Sequence, residues 1–365
     1  MTDFLADYQA QLAALYEQPM FGLRQADKQQ QLLPLLRSLH QHHLANSEAY
    51  HNMFAEVDAD NWQSLADVSY LAVRLFKLFS LKSVPDEQIF KVLRSSGTTG
   101  QTPAEVFLDR DTSARQSKTL VKIMQAFIGT QRLPMLIIDS PAVLKDKALF
   151  SARGAGIQGM AFFGRDHTYA LDENMQLDLS AIQAFAEKYA GQPMLVFGFT
   201  FMIWQALVEA LEQQGNSLNL SQGVLVHSGG WKKLVDKQVD NATFKARLAK
   251  ATGIAKVHNF YGMAEQVGSV FVECEQGHLH APLFADVIVR NPYDLSESAQ
   301  GEQGLFQVLS LLPSSYPGFS LLTEDLGRIL GEDDCGCGRK GRYFAVDGRL
   351  PKTEIRGCSD TGASL

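Results

Sequence analysis

From about residue 81 onward, short apolar runs typical of β-strands alternate with helical stretches. The strand-like runs are QIFKVLR, AEVFLD, PMLIID, GMAFFG, MLVFGFTF, GVLVHSGG, AKVHNFYG, SVFVECE, ADVIVR and GLFQVLS. Their β-branched and aromatic residues favour strands, whereas TSARQSKTLVKIMQAFIG and LSAIQAFAEKYAG have helical spacing. This alternation predicts an α/β layer structure.

The two ends of the chain differ from this middle part. Residues 1–80 have apolar positions near helical spacing, as in ADYQAQLAALYEQ, and predict a helical segment. From Leu322 the composition is rich in Gly, Asp and Arg with little helical periodicity, which predicts a loop-rich β appendage. We therefore divide the chain into a helical segment (1–80), a core (81–321) and this appendage (322–365).

Composition limits the class of partner and the compartment. The chain has 365 residues, 45% of them apolar and 20% charged, which excludes a disordered or disulfide-rich protein. Its formal charge is -7, and no run of Lys and Arg forms the basic stripe that nucleic acid requires. Asp3, Asp7 and Glu17 lie where a signal peptide needs a basic start and an apolar stretch. The most apolar window, residues 193–208, is shorter than the ~20 residues that cross a bilayer. We expect a cytoplasmic protein with no transmembrane segment and no nucleic-acid partner.

The strongest local motif is a loop of glycines and hydroxyl side chains, RSSGTTGQTP, at residues 94–103. Hydroxyl groups, and backbone N–H groups that glycine leaves accessible, bind phosphate oxygens. A P-loop is excluded because that motif runs directly into a helix, whereas Gln101 and Thr102 lead into a strand-like run. The alternative to a phosphate loop is a hydroxyl-rich hairpin turn. The candidate phosphate ligands are Ser95, Ser96, Gly97, Thr98, Thr99, Gly100 and Gln101.

Further segments follow this loop in a fixed order. They are QRLPMLIIDSP (131–141), FSARGAGI (150–157), FGFTFMIW (197–204), VHSGGWKK (226–233), FYGMAEQVGS (260–269), LTEDLG (322–327) and GRLPKTEIRGCSDT (348–361). With them, the chain resembles the ANL superfamily of adenylate-forming enzymes and, from end to end, the acyl-protein synthetase (LuxE) family within it. The resemblance implies an α/β fold of the ANL adenylating type, with layered sheets and helices, and ATP-dependent activation of a carboxylic acid.

Matching positions carry over the nucleotide ligands that the resemblance implies. Residues 95–100 would hold the ATP phosphates, and Gln101 stands where many adenylating enzymes have lysine. Ala264 stands where the family commonly has threonine. The other matched positions are Ser228, Gly229 and Gly230 beside the adenine, Tyr261 against its ring, Glu265 at Mg²⁺, Asp325 at the ribose hydroxyls and Arg349 at the ribose near the hinge. Taken alone, the 228–230 segment is an ordinary strand-ending turn, Asp325 a turn residue and Arg349 a solvated surface charge.

The cysteines suggest a metal site. Cys335 and Cys337 form a C-x-C pair, and Cys274 and His280 lie upstream in CEQGHLH. Thiolate and imidazole ligands in this number suit a tetrahedral structural zinc, and some phenylacetate-CoA-ligase-like proteins resemble the arrangement. His278 is the alternative imidazole. The other interpretation is a set of buried free cysteines in a glycine-rich turn.

Cys358, in IRGCSD, has no partner in that set. A thiolate is the usual nucleophile toward an acyl-adenylate, and the nearby Arg356 would lower the pKa of the thiol. The LuxE resemblance implies that Cys358 takes the acyl group; the alternative is an inert cysteine near the terminus. ANL enzymes normally continue past the hinge into a mobile lid domain with a catalytic lysine, and we expect this lid to be absent, since the chain ends at residue 365. The resemblance also implies a partner of the acyl-CoA-reductase type.

We therefore predict an ATP-dependent acyl-protein synthetase that forms an acyl-AMP from a fatty acid and passes the acyl group to Cys358. Two alternatives are an acyl- or aryl-CoA ligase of the phenylacetate-CoA-ligase type and a non-catalytic, zinc-containing assembly subunit. The acyl pocket should be apolar, and an aromatic acid would suit the same wall. Its candidate residues, which could equally be plain core, are Phe197, Phe199, Phe201, Met202 and Trp204.

Overall fold

Helices form the N-terminal part of the chain. The computed structural model describes residues 4–94, 103–145 and 152–350. Its first helices are α1 (Phe4–Tyr16), α2 (Gln25–Asn46) and α3 (Glu48–Phe54). After them the chain forms short 3₁₀ turns, because the Asp58 and Asp67 carboxylates accept hydrogen bonds from nearby backbone amides that a helix would need. The helical character predicted for residues 1–80 thus ends mostly at residue 54.

Five parallel strands form one half of a large sheet. They are β4 (Leu133–Ile138), β5 (Gly164–Tyr169), β6 (Met194–Phe199), β7 (Gly223–Ser228) and β8 (Lys256–Tyr261), in the order β5-β4-β6-β7-β8. Each inner strand is buried on both faces, as expected for a parallel sheet covered by helices.

Helices connect these strands and cover both faces. One face packs on α4 (Arg110–Ile128), on α6 (Ala152–Ala161) and on the N-terminal helices; the short α5 (Ala142–Lys145) precedes α6. The other face packs on three elements. They are α7 (Leu179–Lys188), α10 (Asn241–Thr252) and a helix made of α8 (Thr200–Met202), a π-helical turn (Ile203–Glu209) and α9 (Ala210–Gln213). Alternation decides the face: Phe197 packs on the α4 side, and Val196 on the α7 side.

Antiparallel strands continue the sheet beyond β8. They follow in the order β9 (Phe271–Glu273), β10 (Leu279–His280), β14 (Arg342–Arg349), β13 (Ser320–Glu332), β12 (Gly304–Ser310) and β11 (Ala285–Arg290). The short β1 (Leu71–Ala72) pairs with β13. β13 crosses the predicted boundary between residues 321 and 322, and the division into three segments stays a prediction. The described part of the predicted appendage consists mainly of β13, β14 and the turn between them.

A separate two-stranded sheet carries the candidate phosphate loop. β2 (Lys91–Arg94) and β3 (Glu105–Leu108) are antiparallel, with Arg94 opposite Glu105. The loop therefore joins two paired strands, as the flanking runs predict. Its residues 95–102 lie outside the described residues.

One predicted strand is wrong. The run GMAFFG lies at the end of α6, where Ile157 and Met160 are buried at helical spacing, and β5 begins only at Gly164. β5 is an edge strand with several exposed residues, so its sequence, GRDHTY, lacks an apolar run. No helix within the described ranges combines the length and the apolar content that crossing a bilayer requires.

Candidate active site

Three neighbouring parallel strands end at the same edge of the sheet. β6 ends at Phe199, β7 at Ser228 and β8 at Tyr261, and the register pairs Phe199 with Ser228 and Ser228 with Phe260. Gly229 follows with φ +81°, in the left-handed region that glycine adopts without strain, so the chain turns away from the strand. Ligands of open parallel sheets bind outside this carboxyl edge. The predicted 228–230 turn therefore lies beside Tyr261 at a suitable edge.

Tyr261 lies next to both predicted ribose ligands. Its hydroxyl donates a 2.7 Å hydrogen bond to Asp325 Oδ2, and Asp325 lies opposite Arg349 in the β13–β14 ladder. Arg349 Nε is 3.8 Å from Asp325 Oδ1. Burial, and then the Asp325 carboxylate, hold the pKa of Tyr261 well above its ordinary value, so the phenol keeps its proton. The structure thus brings three of the predicted residues into one cluster.

Glu265 belongs to the same electrostatic neighbourhood. It lies in a 3₁₀ turn (Ala264–Gln266) after β8, with only 8% of its surface exposed. Burial raises the pKa of its carboxyl group; Lys77 and Arg349 oppose this shift, and Asp325 adds to it. A cation bound beside a buried carboxylate would offset the cost of its charge. The position therefore suits the predicted magnesium ligand.

Residues that the sequence analysis missed hold the backbone of this turn. The Tyr316 hydroxyl donates a 3.0 Å hydrogen bond to the carbonyl oxygen of Glu265, and Gln116 Nε2 donates to the Tyr316 hydroxyl. Gln266 donates to the backbone carbonyls of Val308 and Gly318. No local motif in the sequence signals these contacts, because the partners are far apart along the chain.

The predicted acyl-pocket residues do not share one face. Phe197 is fully buried on the α4 side, and its ring centroid lies 5.8 Å from that of the half-buried Phe199. Trp204 is buried on the opposite face, stacked on Phe244, with Arg247 over its ring. Phe201 is half-buried and Met202 is buried in the helix that follows β6. The pocket stays a prediction, with Phe199 the member at the carboxyl edge.

The cysteines and histidine of the predicted metal site come together in space. The ligand atoms of Cys274, His280, Cys335 and Cys337 all lie within 4.8 Å of one another. The Cys274 and Cys335 sulfurs are 3.8 Å apart, and Cys337 Sγ is 3.4 Å from His280 Nε2. Tetrahedral zinc with ~2.3 Å sulfur bonds separates two sulfur ligands by roughly 3.8 Å. The arrangement therefore fits this metal.

His278, the alternative imidazole, also lies close to this group. Its Nδ1 is 3.4 Å from Cys335 Sγ, and its ring stacks on Tyr343. Two imidazoles thus lie near the three sulfurs. Of the two, His280 belongs to the set of four ligand atoms that lie within 4.8 Å of one another. The predicted acyl acceptor, Cys358, and the phosphate-loop residues from Ser95 to Gln101 lie outside the described residues.

Comparison with known proteins decides the family. The model of the family described as "Acyl-protein synthetase, LuxE" matches residues 18–364, nearly the whole chain. The chain belongs to the LuxE acyl-protein synthetase family. This confirms the resemblance carried by the ordered motifs.

Relatives of this LuxE-family chain are named as ligases. The chain is 21% identical over 335 residues to a long-chain-fatty-acid–luciferin-component ligase of Vibrio harveyi, covering 89% of this chain and 85% of the relative. It is 22% identical over 304 residues to the ligase of the same name from Aliivibrio fischeri, covering 81% and 78%. The family and these names support a ligase that activates an acid.

Solved structures show the same fold. An open conformation of 2-hydroxyisobutyryl-CoA ligase, in complex with 2-HIB-AMP and CoA, matches with a TM-score of 0.66 at 18% identity, covering 93% of this chain and 79% of the other. The same enzyme in its postadenylation state with 2-HIB-AMP gives 0.67, covering 92% and 71%. The predicted α/β fold with layered sheets and helices is thereby confirmed.

Proposed function

We propose that this chain is an ATP-dependent acyl-protein synthetase that acts on a long-chain fatty acid. The observation that carries the proposal is the cluster of Tyr261, Glu265, Asp325 and Arg349 at the carboxyl edge of the sheet, in a chain that belongs to the LuxE family. The substrate class follows the names of the Vibrio harveyi and Aliivibrio fischeri relatives.

The first step is adenylation. A carboxylate oxygen of the acid attacks the α-phosphorus of ATP. The bond between this phosphorus and the oxygen that bridges the α- and β-phosphates breaks, so that acyl-AMP and pyrophosphate form. The nucleotide lies across the carboxyl edge, with its adenine between the 228–230 turn and Tyr261. Asp325 accepts hydrogen bonds from the ribose hydroxyls, and Arg349 lies beside the ribose. Residues 95–101 hold the phosphates.

A magnesium ion fits the buried Glu265 carboxylate. When bound, Mg²⁺ offsets charge on the phosphate oxygens during transfer. Glu265 would hold it, because burial penalises the free carboxylate and a bound cation would offset that penalty. The hydrogen bond from Tyr316 to the Glu265 carbonyl oxygen fixes the turn that presents this carboxylate.

The second step is transfer to Cys358. The thiolate attacks the acyl carbon, AMP leaves with the electron pair of the broken anhydride bond, and a thioester forms. The thioester conserves the activation of the acyl group and delivers it to a partner of the acyl-CoA-reductase type. The cluster of Cys274, His280, Cys335 and Cys337 would hold a structural zinc, which would fix the turn between β13 and β14.

Acid-dependent exchange of labelled pyrophosphate into ATP tests the adenylation. The protein is incubated with ATP, Mg²⁺ and a panel of fatty, short-chain and aromatic acids. We expect exchange that is fastest with long-chain fatty acids. If none of the acids in the panel supports exchange, the proposed activity is refuted and the assembly subunit is favoured. Formation of acyl-CoA on addition of CoA would favour the CoA ligase.

A further inference from the structure

We infer that Thr200 is a positioning residue that orients the 228–230 turn toward the nucleotide. The inference rests on the proposed function. Thr200 is the first residue of α8, directly after β6, and only 6% of its surface is exposed.

Three polar atoms of the neighbouring strand and turn surround the Thr200 hydroxyl. Oγ1 lies 2.6 Å from the carbonyl oxygen of Gly229, 3.2 Å from that of Ser228 and 2.9 Å from His227 Nδ1. Both carbonyl oxygens can only accept, so the one hydroxyl proton is directed at them, mainly at the closer Gly229 oxygen. If the hydroxyl donated to His227 Nδ1 instead, Thr200 Oγ1 and the Gly229 oxygen would lie 2.6 Å apart with no proton between them.

The histidine must then donate. Because the Thr200 proton is used on the carbonyl side, His227 Nδ1 carries a hydrogen and donates it to Oγ1. His227 is 3% exposed and packs on the Phe244 ring, and burial lowers the pKa of the imidazole to about 4. The ring is therefore neutral near neutral pH and holds the Nδ1–H tautomer. A hydrogen-bond chain runs from His227 through Thr200 to Gly229.

This chain sets the direction of the peptide between Gly229 and Gly230. The peptide is trans, so its C=O and N–H point in opposite directions. With the carbonyl held inward against Thr200, the Gly230 N–H points away from the buried hydroxyl. Both glycines are exposed, and no acceptor among the described residues pairs with the Gly230 N–H. The turn thus presents an oriented donor to an acceptor atom of the bound nucleotide.

The test separates positioning from mere folding by comparing Thr200→Val, Thr200→Ser and Thr252→Val. Thr252 is the matched control: it is fully buried, and its hydroxyl donates to Leu248 O within α10. We expect Thr200→Val to raise KM for ATP about tenfold to a hundredfold and to leave KM for the acid unchanged. The reason is that the Gly229 carbonyl and the His227 Nδ1–H lose their hydrogen-bond partner. Thr200→Ser should restore KM to within about threefold, since the hydroxyl returns. Thr252→Val should leave KM for ATP unchanged.

Equal KM values for Thr200→Val and wild type, an effect on the acid alone, or an equal effect of Thr252→Val would overturn the inference. If the wild-type protein shows no exchange with any acid, the proposed function fails instead. In that case, or if Thr200→Val does not fold, nitrogen-15 NMR of the histidine rings tests the hydrogen-bond chain without an activity measurement. The His227 signal, assigned by its loss in His227→Gln, should show a neutral Nδ1–H ring; an Nε2–H or charged ring would contradict it.

Discussion

The Tyr261 hydroxyl donates a 2.7 Å hydrogen bond to Asp325 Oδ2 and so joins the last parallel strand to the antiparallel half of the sheet. Asp325 keeps its second oxygen on the side of Arg349, whose Nε is 3.8 Å away. One carboxylate thus contacts both Tyr261 and Arg349, and we propose that it also binds the ribose.

Asp325→Asn should raise KM for ATP about tenfold to a hundredfold in pyrophosphate exchange, because hydrogen bonds to a charged acceptor are worth about 1.5–3 kcal/mol. Tyr261→Phe removes one hydrogen bond but keeps the ring and should cost only a few-fold. Asp347→Asn is the control: this carboxylate bonds Arg328 at 2.8 Å in the same strand pair, outside the cluster. An unchanged KM in Asp325→Asn would contradict the ribose role.

Glu265→Gln should abolish exchange yet stabilise the folded protein at neutral pH. Burial raises the pKa of Glu265 above its ordinary value, so the folded state binds the proton more tightly than the unfolded state. The charged carboxylate therefore costs stability at pH values above its folded pKa, and wild type recovers that stability as pH falls through it. Urea unfolding of both proteins at several pH values without Mg²⁺ measures the difference.

We expect the stability gap between Glu265→Gln and wild type to close on acidification. Glu212→Gln is the control and should change the stability in the opposite direction, because the hydrogen bond from Arg247 lowers the pKa of Glu212. That variant should be slightly less stable than wild type at neutral pH. A Glu265→Gln variant that is less stable than wild type at neutral pH would show that the buried carboxylate is compensated in the apo protein.

His280→Gln should lose the metal, and His278→Gln should keep it. The four mutually close ligand atoms include one from His280, whereas His278 lies beside this set with its Nδ1 3.4 Å from Cys335 Sγ. Metal analysis after dialysis should give about one zinc per chain for wild type and His278→Gln and clearly less for His280→Gln. Chelation should lower the melting temperature, since zinc binding contributes to folding. The reverse order of the two variants would assign the ligand to His278, and metal-free wild type would remove the site.

Gly156→Ala should reduce activity with long-chain acids. A Cβ at Gly156 would lie 2.9 Å from Cζ of Phe199, whereas a Cβ at Gly159 of the same helix meets nothing within 4 Å. The Phe199 ring must therefore shift in the first variant only. We expect a several-fold lower kcat/KM for long acids in Gly156→Ala, near-normal values in Gly159→Ala and partial rescue by Phe199→Ala. Equal kinetics for both alanine variants would place Phe199 outside the acyl pocket.

Ordered motifs predicted the family, the fold and the positions that meet around Tyr261. Periodicity alone cannot assign a face where the chain changes from strand to helix: Phe197 and Phe199 lie on the same face of β6, but the helix that starts at Thr200 turns Trp204 to the opposite face. The apolar stripe therefore could not be divided between the two faces from sequence alone.

Hydrogen bonds between distant segments of the chain could not be predicted from the sequence either. Tyr316 holds the Glu265 carbonyl, and Thr200 holds that of Gly229, through bonds to backbone atoms that any residue type would offer. Such pairs carry no spacing rule, because the fold alone brings them together. The cysteines were easier, since thiolate and imidazole chemistry limits the residue types that can share a zinc.

Intact mass spectrometry of wild type and Cys358→Ser, after incubation with ATP, Mg²⁺ and a long-chain fatty acid, tests the central claim most directly. We predict one added acyl group on wild type, removed by hydroxylamine and mapped to Cys358 after digestion, and none on Cys358→Ser, which should still exchange pyrophosphate. An acylated Cys358→Ser protein, or an unlabelled wild type that exchanges pyrophosphate with the same acid, would contradict it.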